Sequence, residues 1–231
     1  MALNAQGFTI IDTPELDEFT LSQFENLPLD PYTGSTQRYR RFSQFRLAHD
    51  GEWKLELLPH RHFAQPRKYN DLVGGQLRTL EPLTTDPTAL IAAGAEALGL
   101  DKDTDWQLNV HQCRVVSTLE VEGVAAPEGP HRDGHHYGIV AVTRRHNISG
   151  GETQLMPLGG GEPFFTTTLQ DGQAICFDDR RMFHHVTDIE HLSEDGGHRD
   201  VWLVAVNPWE HRRYGDEYEA EVLASNSNSE A

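Results

Sequence analysis

Residues 106–116, Trp-Gln-Leu-Asn-Val-His-Gln-Cys-Arg-Val-Val, and residues 201–206, Val-Trp-Leu-Val-Ala-Val, bracket a series of short runs rich in β-branched and aromatic residues. Turn signals separate the runs, among them Asp171-Gly172 and Gly150-Gly151. Several short strands with regular turns predict a β barrel or sandwich. The predicted strands are Trp106–Val116, Tyr137–Thr143, Glu152–Met156, Phe164–Leu169, Gln173–Phe177, His184–Ile189 and Val201–Val206.

The first half of the chain adds helices to this β-rich part. Thr13-Pro14-Glu15 is typical of an N-cap followed by proline at the first helical position, and it predicts a helix through about Leu27. Pro28 would end that helix, since proline cannot continue it. The remaining predicted elements are strands at Arg40–Leu47 and Trp53–Leu58 and a helix from Thr85-Asp86-Pro87 to near Gly99.

The length of 231 residues suits one domain of ordinary size, and no repeat or linker divides the chain. We expect one mainly β domain with flanking helices over residues 1–213. Residues 214–231 are polar and contain Ser-Asn-Ser-Asn-Ser, so we expect a flexible tail there.

Composition excludes several classes of partner. The formal net charge of −17 argues against nucleic acid, because phosphate binding needs clustered positive charge. The basic segment 37–41 is interpreted as a solvated strand edge.

No apolar run is long enough to cross a membrane, and the first residues do not resemble a secretion signal. With only Cys113 and Cys176, no disulfide framework is expected, so the cytoplasm is the predicted location. Nothing in the sequence indicates an oligomer.

A histidine and a carboxylate two residues apart on a strand point to the same side and suit the binding of one metal ion. The chain has two such tripeptides, His131-Arg132-Asp133 and His198-Arg199-Asp200. Two histidines and one carboxylate on one face of a metal form the facial triad of non-haem Fe(II) oxygenases, which needs a third ligand from a later strand. Several predicted strands follow Asp133, whereas little chain follows Asp200, so the first tripeptide is favoured.

The third ligand is expected from His184-His185, but neighbouring strand residues face opposite ways and strand geometry alone leaves both candidates open. Arg199 is a further candidate, because alternation places it on the same strand face as Val201 and Leu203. A buried guanidinium needs an anion, which is either an acidic side chain or a bound dicarboxylate.

An ordered set of motifs resembles the bacterial 2-oxoglutarate/Fe(II) dioxygenase family that includes the L-isoleucine dioxygenases. The resemblance runs from about Phe24 to Pro208. Its motifs are residues 27–32, 38–41, 69–70, 74–75, 78, 111–114, 127–134, 145–152 and 178–187.

The resemblance implies a double-stranded β-helix, a jelly-roll and cupin-like fold, with Fe(II) held by His131, Asp133 and His184. It implies that Arg199 binds the C5 carboxylate of 2-oxoglutarate. The remaining residues in motif positions, expected to bind the cosubstrate or lie near it, are Arg114, Arg145 and Asn147.

The resemblance further implies an enzyme that uses Fe(II), 2-oxoglutarate and O2, with ascorbate as a reductant in vitro. Its substrate is expected to be a free aliphatic L-amino acid, which is hydroxylated, or sulfoxidised if it carries a thioether. Arg78 or Arg114 is a candidate for the substrate carboxylate and Glu128 for its ammonium group. One alternative is the same chemistry on another small molecule or a peptide. Another is a cupin-like stress protein that holds a metal without catalysis, which the presence of Arg199 disfavours.

Overall fold

The computed structural model describes residues 3–32 and 36–227. Its strands are β1 (Phe8–Asp12), β2 (Arg38–Asp50), β3 (Glu52–Leu57), β4 (Phe63–Ala64), β5 (Leu77–Arg78), β6 (Trp106–Ser117), β7 (Tyr137–His146), β8 (Ile148–Gly150), β9 (Thr153–Pro157), β10 (Phe165–Thr167), β11 (Gln173–Asp178), β12 (Met182–Val186), β13 (Ile189–His191) and β14 (Gly197–Pro208). Its helices are α1 (Glu18–Ser22), α2 (Thr88–Leu98) and α3 (Asp216–Ser227), with 3-10 turns at Gln23–Asn26, Arg67–Tyr69 and Trp209–His211.

Two antiparallel sheets form the body of the fold. The larger has the order β1-β11-β7-β14-β6-β2-β3, and the smaller has the order β10-β9-β12, with β13 paired to β8 beside it. One apolar cluster between the two sheets includes Leu155, Phe177 and Met182. The predicted mainly β, jelly-roll class is therefore confirmed. The predicted strands fall on observed ones with shifted ends, except that His184–Ile189 is divided between β12 and β13, and β1, β4, β5 and β8 were not predicted.

The pairing register of the large sheet aligns side chains into rows across its inner face. Arg38 pairs with Val115, which pairs with Arg199, and Arg199 pairs in turn with Arg145. Because side chains alternate along each strand, members of one row face the same side. The inner face of the sheet therefore carries three arginines in this one row.

The first helix is shorter than the sequence predicts. It begins at Glu18, and its N-cap is Asp17, whose carboxylate accepts a hydrogen bond from the Thr20 backbone N–H. The expected N-cap at Thr13 is wrong, because the Thr13 N–H and hydroxyl both donate to the carbonyl of Gly172 and hold this segment against the sheet. A tertiary contact thus overrides the local capping signal.

The other helices pack on the outside of the large sheet and at its end. Helix α2 ends as predicted at Gly99, which adopts the left-handed conformation with φ of 65°. Helix α3 lies in the segment expected to be a flexible tail: Val222 is buried, and Arg61 forms ion pairs with Asp216 and Glu219. Within the described ranges, no helix has both the length and the apolar character needed to span a membrane.

Candidate metal centre and pocket

A pocket opens between the two sheets. One part of its wall carries His131, Asp133 and His184, and Arg199 lies in another part. Apolar side chains of the large sheet, such as Val140, Val201 and Leu203, also line the wall. The pocket therefore combines three candidate metal ligands with a cationic side chain.

The three candidate ligands converge although they come from two distant segments. Their ligand atoms all lie within 4.8 Å of one another. The Asp133 carboxylate lies 3.7 Å from His131 Nε2 and 3.6 Å from His184 Nε2. Two imidazoles and one carboxylate at these separations fit the facial donor set of Fe(II), which leaves the opposite face for other ligands.

Backbone pairing brings the two histidines together. The N–H of His131 donates to the carbonyl of His184 over 3.0 Å, and the reverse hydrogen bond is 2.9 Å long. His131 Nδ1 lies 2.7 Å from the carbonyl of Gly129, so it donates there and its Nε2 keeps the lone pair that a metal needs. Regular alternation in β12 turns His185 away from the group.

The electrostatics of the group favour an ionised carboxylate. Burial opposes the charge on Asp133, but the charges of His184 and His131 outweigh it and lower its pKa. Burial likewise opposes a charge on His184, and contacts with Asp179 and Asp133 outweigh this and raise its pKa. A divalent cation would take the place of the protons between these groups.

Asp179 is a buried acid that contacts both halves of the ligand set. Its carboxylate accepts hydrogen bonds from the backbone N–H groups of Asp133, at 3.3 Å, and Gly134, at 2.8 Å. Its Oδ1 lies 3.5 Å from Nδ1 of His184. With only 1% of its surface exposed, this carboxylate orients the distal imidazole and the Asp133 loop together.

Replacing this carboxylate should weaken metal binding. For Asp179→Asn we expect Fe(II) and Mn(II) affinity to fall by about 10- to 100-fold, because a neutral amide orients His184 less well and lowers its basicity. Titration calorimetry with Mn(II) measures the change. Asp178→Asn is the matched control, since the Asp178 carboxylate pairs with Arg180. Equal metal affinity for the wild type and Asp179→Asn would contradict the positioning role.

Arg199 is fully buried and has no acidic partner among the described residues. Its Nε and Nη2 atoms have no hydrogen-bond partner there, and only 3% of the residue is exposed. Its cross-strand neighbour is Arg145, whose Nη1 is also buried without a partner and whose Nη2 donates to the carbonyl of Gly150. Burial, with a smaller contribution from Arg145, lowers the pKa of Arg199 to about 10. Two adjacent guanidinium groups that form no ion pair with the acids of the described ranges suit an anionic ligand.

Two residues expected near the cosubstrate lie elsewhere. Arg114 lies between Asp200, at 2.7 Å, and Glu25, at 2.5 Å, on the outer face of the large sheet. The register explains this correction, because Arg114 pairs with Asp200, the neighbour of Arg199 that faces the opposite way. Asn147 is a turn residue with φ of 53°, and its amide donates to Ser193 and Gly196.

The basic segment around Arg38 and Arg40 is not the solvated strand edge that the sequence suggested. Both residues line the pocket, and Arg40 is only 5% exposed. They are joined there by Arg78 from β5, and by Gln65, whose amide donates to the Asp133 carboxylate over 3.3 Å. Because Arg38 and Arg40 are two residues apart on β2, the sequence could have predicted that they lie on the same face of the sheet. Their burial depends on strands β4 and β5.

The alternative metal tripeptide is not assembled. Asp200 is engaged by Arg114, and His198 Nε2 lies 3.7 Å from the Asp200 carboxylate. The ring of His146 lies 5.1 Å from that of His198, centroid to centroid, but within the described ranges these groups do not bring three ligand atoms close enough together for one metal ion. The pocket therefore lies at the first tripeptide, as the sequence analysis favoured.

Comparison with known proteins agrees with this arrangement. Residues 22–205 match the family model described as 2OG-Fe dioxygenase. A bsmA homolog from Methylobium petroleophilum PM1 superposes with a TM-score of 0.74 at 29% identity, over 88% of this chain and 89% of that one. IDO from Bacillus thuringiensis has a TM-score of 0.67 at 19% identity, over 88% and 95% of the two chains.

A third solved structure, described as the Fe(II)/(alpha)ketoglutarate-dependent dioxygenase TqaL, has the same fold with a TM-score of 0.59 at 13% identity, over 87% of this chain and 82% of that one. No curated protein matches the sequence. Since the family model covers most of the chain, the protein belongs to the 2OG-Fe dioxygenase family, whose enzymes use Fe(II), 2-oxoglutarate and O2.

Proposed function

We propose that this dioxygenase hydroxylates a free L-amino acid, or sulfoxidises one with a thioether. Iron would be held by His131, Asp133 and His184, and the C5 carboxylate of 2-oxoglutarate by Arg199. The observation that carries the proposal is an unpaired, buried arginine in the same pocket as a complete set of two histidines and one carboxylate. The resemblance to the L-isoleucine dioxygenases supports an amino acid with an aliphatic side chain.

The pocket walls support this placement of 2-oxoglutarate. Val201 and Leu203 lie on the same strand face as Arg199, and apolar groups there suit the methylene carbons between the two carboxylates of the cosubstrate. Arg145 adds positive charge beside Arg199, and its pKa is lowered mainly by burial. When bound, iron and 2-oxoglutarate together activate O2, and the surrounding chain orients the reactants and excludes bulk water.

Opposite charges on the substrate side suit the two ends of an amino acid. Glu128 Oε1 lies 3.6 Å from Nε2 of His131, and it is the acid available to an ammonium group. Arg78 is 2% exposed and is available to a carboxylate. Its Nη2 donates to Gln65 over 3.3 Å, and Gln65 donates to Asp133, so one side chain links Arg78 to the candidate metal ligands.

We also propose that residues 1–213 act as one catalytic domain. Helix α3 beyond it packs against that domain rather than forming a separate unit, since the Tyr218 hydroxyl donates to the carbonyl of Ala64.

The proposal predicts succinate formation that depends on an amino acid. Purified Fe(II)-loaded protein is supplied with 2-oxoglutarate, ascorbate and single L-amino acids, and succinate and the oxidised product are measured. We expect one or a few amino acids to raise succinate formation at least about 10-fold over the uncoupled rate, with a product heavier by one oxygen atom. Slow succinate formation that no amino acid stimulates would retain the enzyme class and refute the substrate class.

A further inference from the structure

Three arginines form a second cationic group in the pocket, here called the arginine cluster: Arg38, Arg40 and Arg78. Arg38 and Arg40 lie two residues apart on β2 and so face the same side, and Arg78 reaches them from β5. The ring of Phe63 lies 4.2 Å from the Arg78 guanidinium carbon and 5.7 Å from that of Arg40. All three arginines and Phe63 line the pocket.

The arginine cluster is incompletely neutralised. Asp30, which is 1% exposed, lies 2.8 Å from Nη2 of Arg40 and pairs with that residue. The Nε atoms of all three arginines are buried and have no hydrogen-bond partner within the described ranges. Burial, and next the charge of Arg40, lowers the pKa of Arg78 to about 9. Burying several guanidinium groups close together in the pocket wall costs free energy, because like charges repel and lose their hydration, unless an anion binds between them.

The arginine cluster is separate from the position proposed for 2-oxoglutarate. Arg38 and Arg199 lie on strands β2 and β14 with Val115 of β6 between them in the same row. Two strand spacings separate them by about 10 Å. A C5 carboxylate at Arg199 would therefore add no anion to Arg38 or Arg78, and the cluster would keep only the pairing of Arg40 with Asp30.

A monocarboxylic amino acid leaves part of this charge unmatched. The ammonium group of the amino acid would pair with Glu128, and Asp30 is already paired with Arg40. The single carboxylate of the amino acid would then have to pair with both Arg38 and Arg78. We propose that the side chain of the substrate itself ends in an anionic group, a carboxylate, so that one carboxylate binds Arg78 and the other binds Arg38. This inference rests on the proposed function and specifies the class of amino acid.

The rest of the substrate wall is compatible with such a molecule. The pocket that holds the cluster and the metal ligands is also lined by Val73, Ala125 and Ala126, small apolar side chains that suit methylene groups. The substrate would then have an aliphatic stem and a charged end, in place of the wholly aliphatic side chain that the resemblance suggests.

Matched pairs of substrates test the inference. Succinate formation by the Fe(II)-loaded protein is compared for L-glutamate and L-glutamine, and for L-2-aminoadipate, L-homoglutamine and L-norleucine. We expect kcat/KM to be at least about 10-fold higher for an acid than for its amide, since a buried charge-assisted contact is lost in the amide. Equal or better use of the amides or of L-norleucine would overturn the inference and leave the proposed function intact. Absence of stimulation by every amino acid would overturn both.

A variant links the preference to the arginine cluster. Arg38→Gln should reduce the acid-to-amide ratio of kcat/KM about 10-fold, mainly through KM, and should raise the dissociation constant for the acid measured anaerobically with 2-oxoglutarate bound. Arg41→Gln is the matched control, because Arg41 lies on the opposite face of β2 and pairs with Glu81. Arg78→Gln should instead raise KM for an acid and for its amide alike, because both keep the α-carboxylate that Arg78 would bind. An unchanged acid-to-amide ratio in Arg38→Gln would overturn the assignment.

Discussion

His184→Ala should abolish iron binding and reduce turnover by about three orders of magnitude or more, because it removes one of three protein ligands and the reaction depends on the metal. His185→Ala should retain both properties. The two residues are neighbours in β12, yet His184 is buried with its ring 4.4 Å from that of His131, centroid to centroid. His185 points to the other side of the strand and pairs in register with Gln154.

This pair of variants is measured by metal content after anaerobic loading and by the rise in melting temperature on addition of Mn(II). The melting temperature of the metal-free variants separates a loss of ligand from a loss of fold. Loss of metal in His185→Ala together with retention in His184→Ala would reverse the ligand assignment.

Arg199→Met should raise the KM for 2-oxoglutarate by about 100-fold or more, because the variant removes a buried cation from a bidentate contact with the cosubstrate. The same variant should not destabilise the metal-free protein. Replacing an unpaired buried guanidinium with an apolar side chain of similar length removes a desolvation cost. This opposite response of binding and stability distinguishes a cosubstrate anchor from an internal ion pair.

Calorimetry with 2-oxoglutarate and thermal unfolding measure the two quantities. Arg144→Met is the control: Arg144 is exposed and faces the opposite way from its neighbour Arg145. A strongly lowered melting temperature of metal-free Arg199→Met, with unchanged affinity for 2-oxoglutarate, would show that the arginine serves the fold instead.

The sequence contained enough information for the fold class and for most of the metal site. Short β-rich runs with glycine turns predicted the sheets. Alternation placed Arg199 with Val201 and Leu203 on a common face, and this period is visible in the chain itself. The spacing of His131 and Asp133 predicted two ligands on one side of a strand; the two side chains do converge, but they lie in an irregular segment that pairs with β12 only at His131.

Pairing between strands decided what the sequence left open or misplaced. The choice between His184 and His185 depends on the bridge between β12 and His131, and the loss of Arg114 from the pocket depends on its register opposite Asp200. A shift of one residue in either pairing would exchange the faces, and no local pattern reports that shift.

Long-range packing also decided where charge is buried. Asp179 falls in the motif at residues 178–187 and Gln65 in none, and both reach the ligand set only because distant segments meet there. The sequence around Arg38 predicted a solvated strand edge, but strands β4 and β5 cover this segment in the structure. The sequence by itself determined which side chains share a strand face. The tertiary structure determined which faces meet across the pocket, because burial and charge pairing arise between segments that are far apart in the chain.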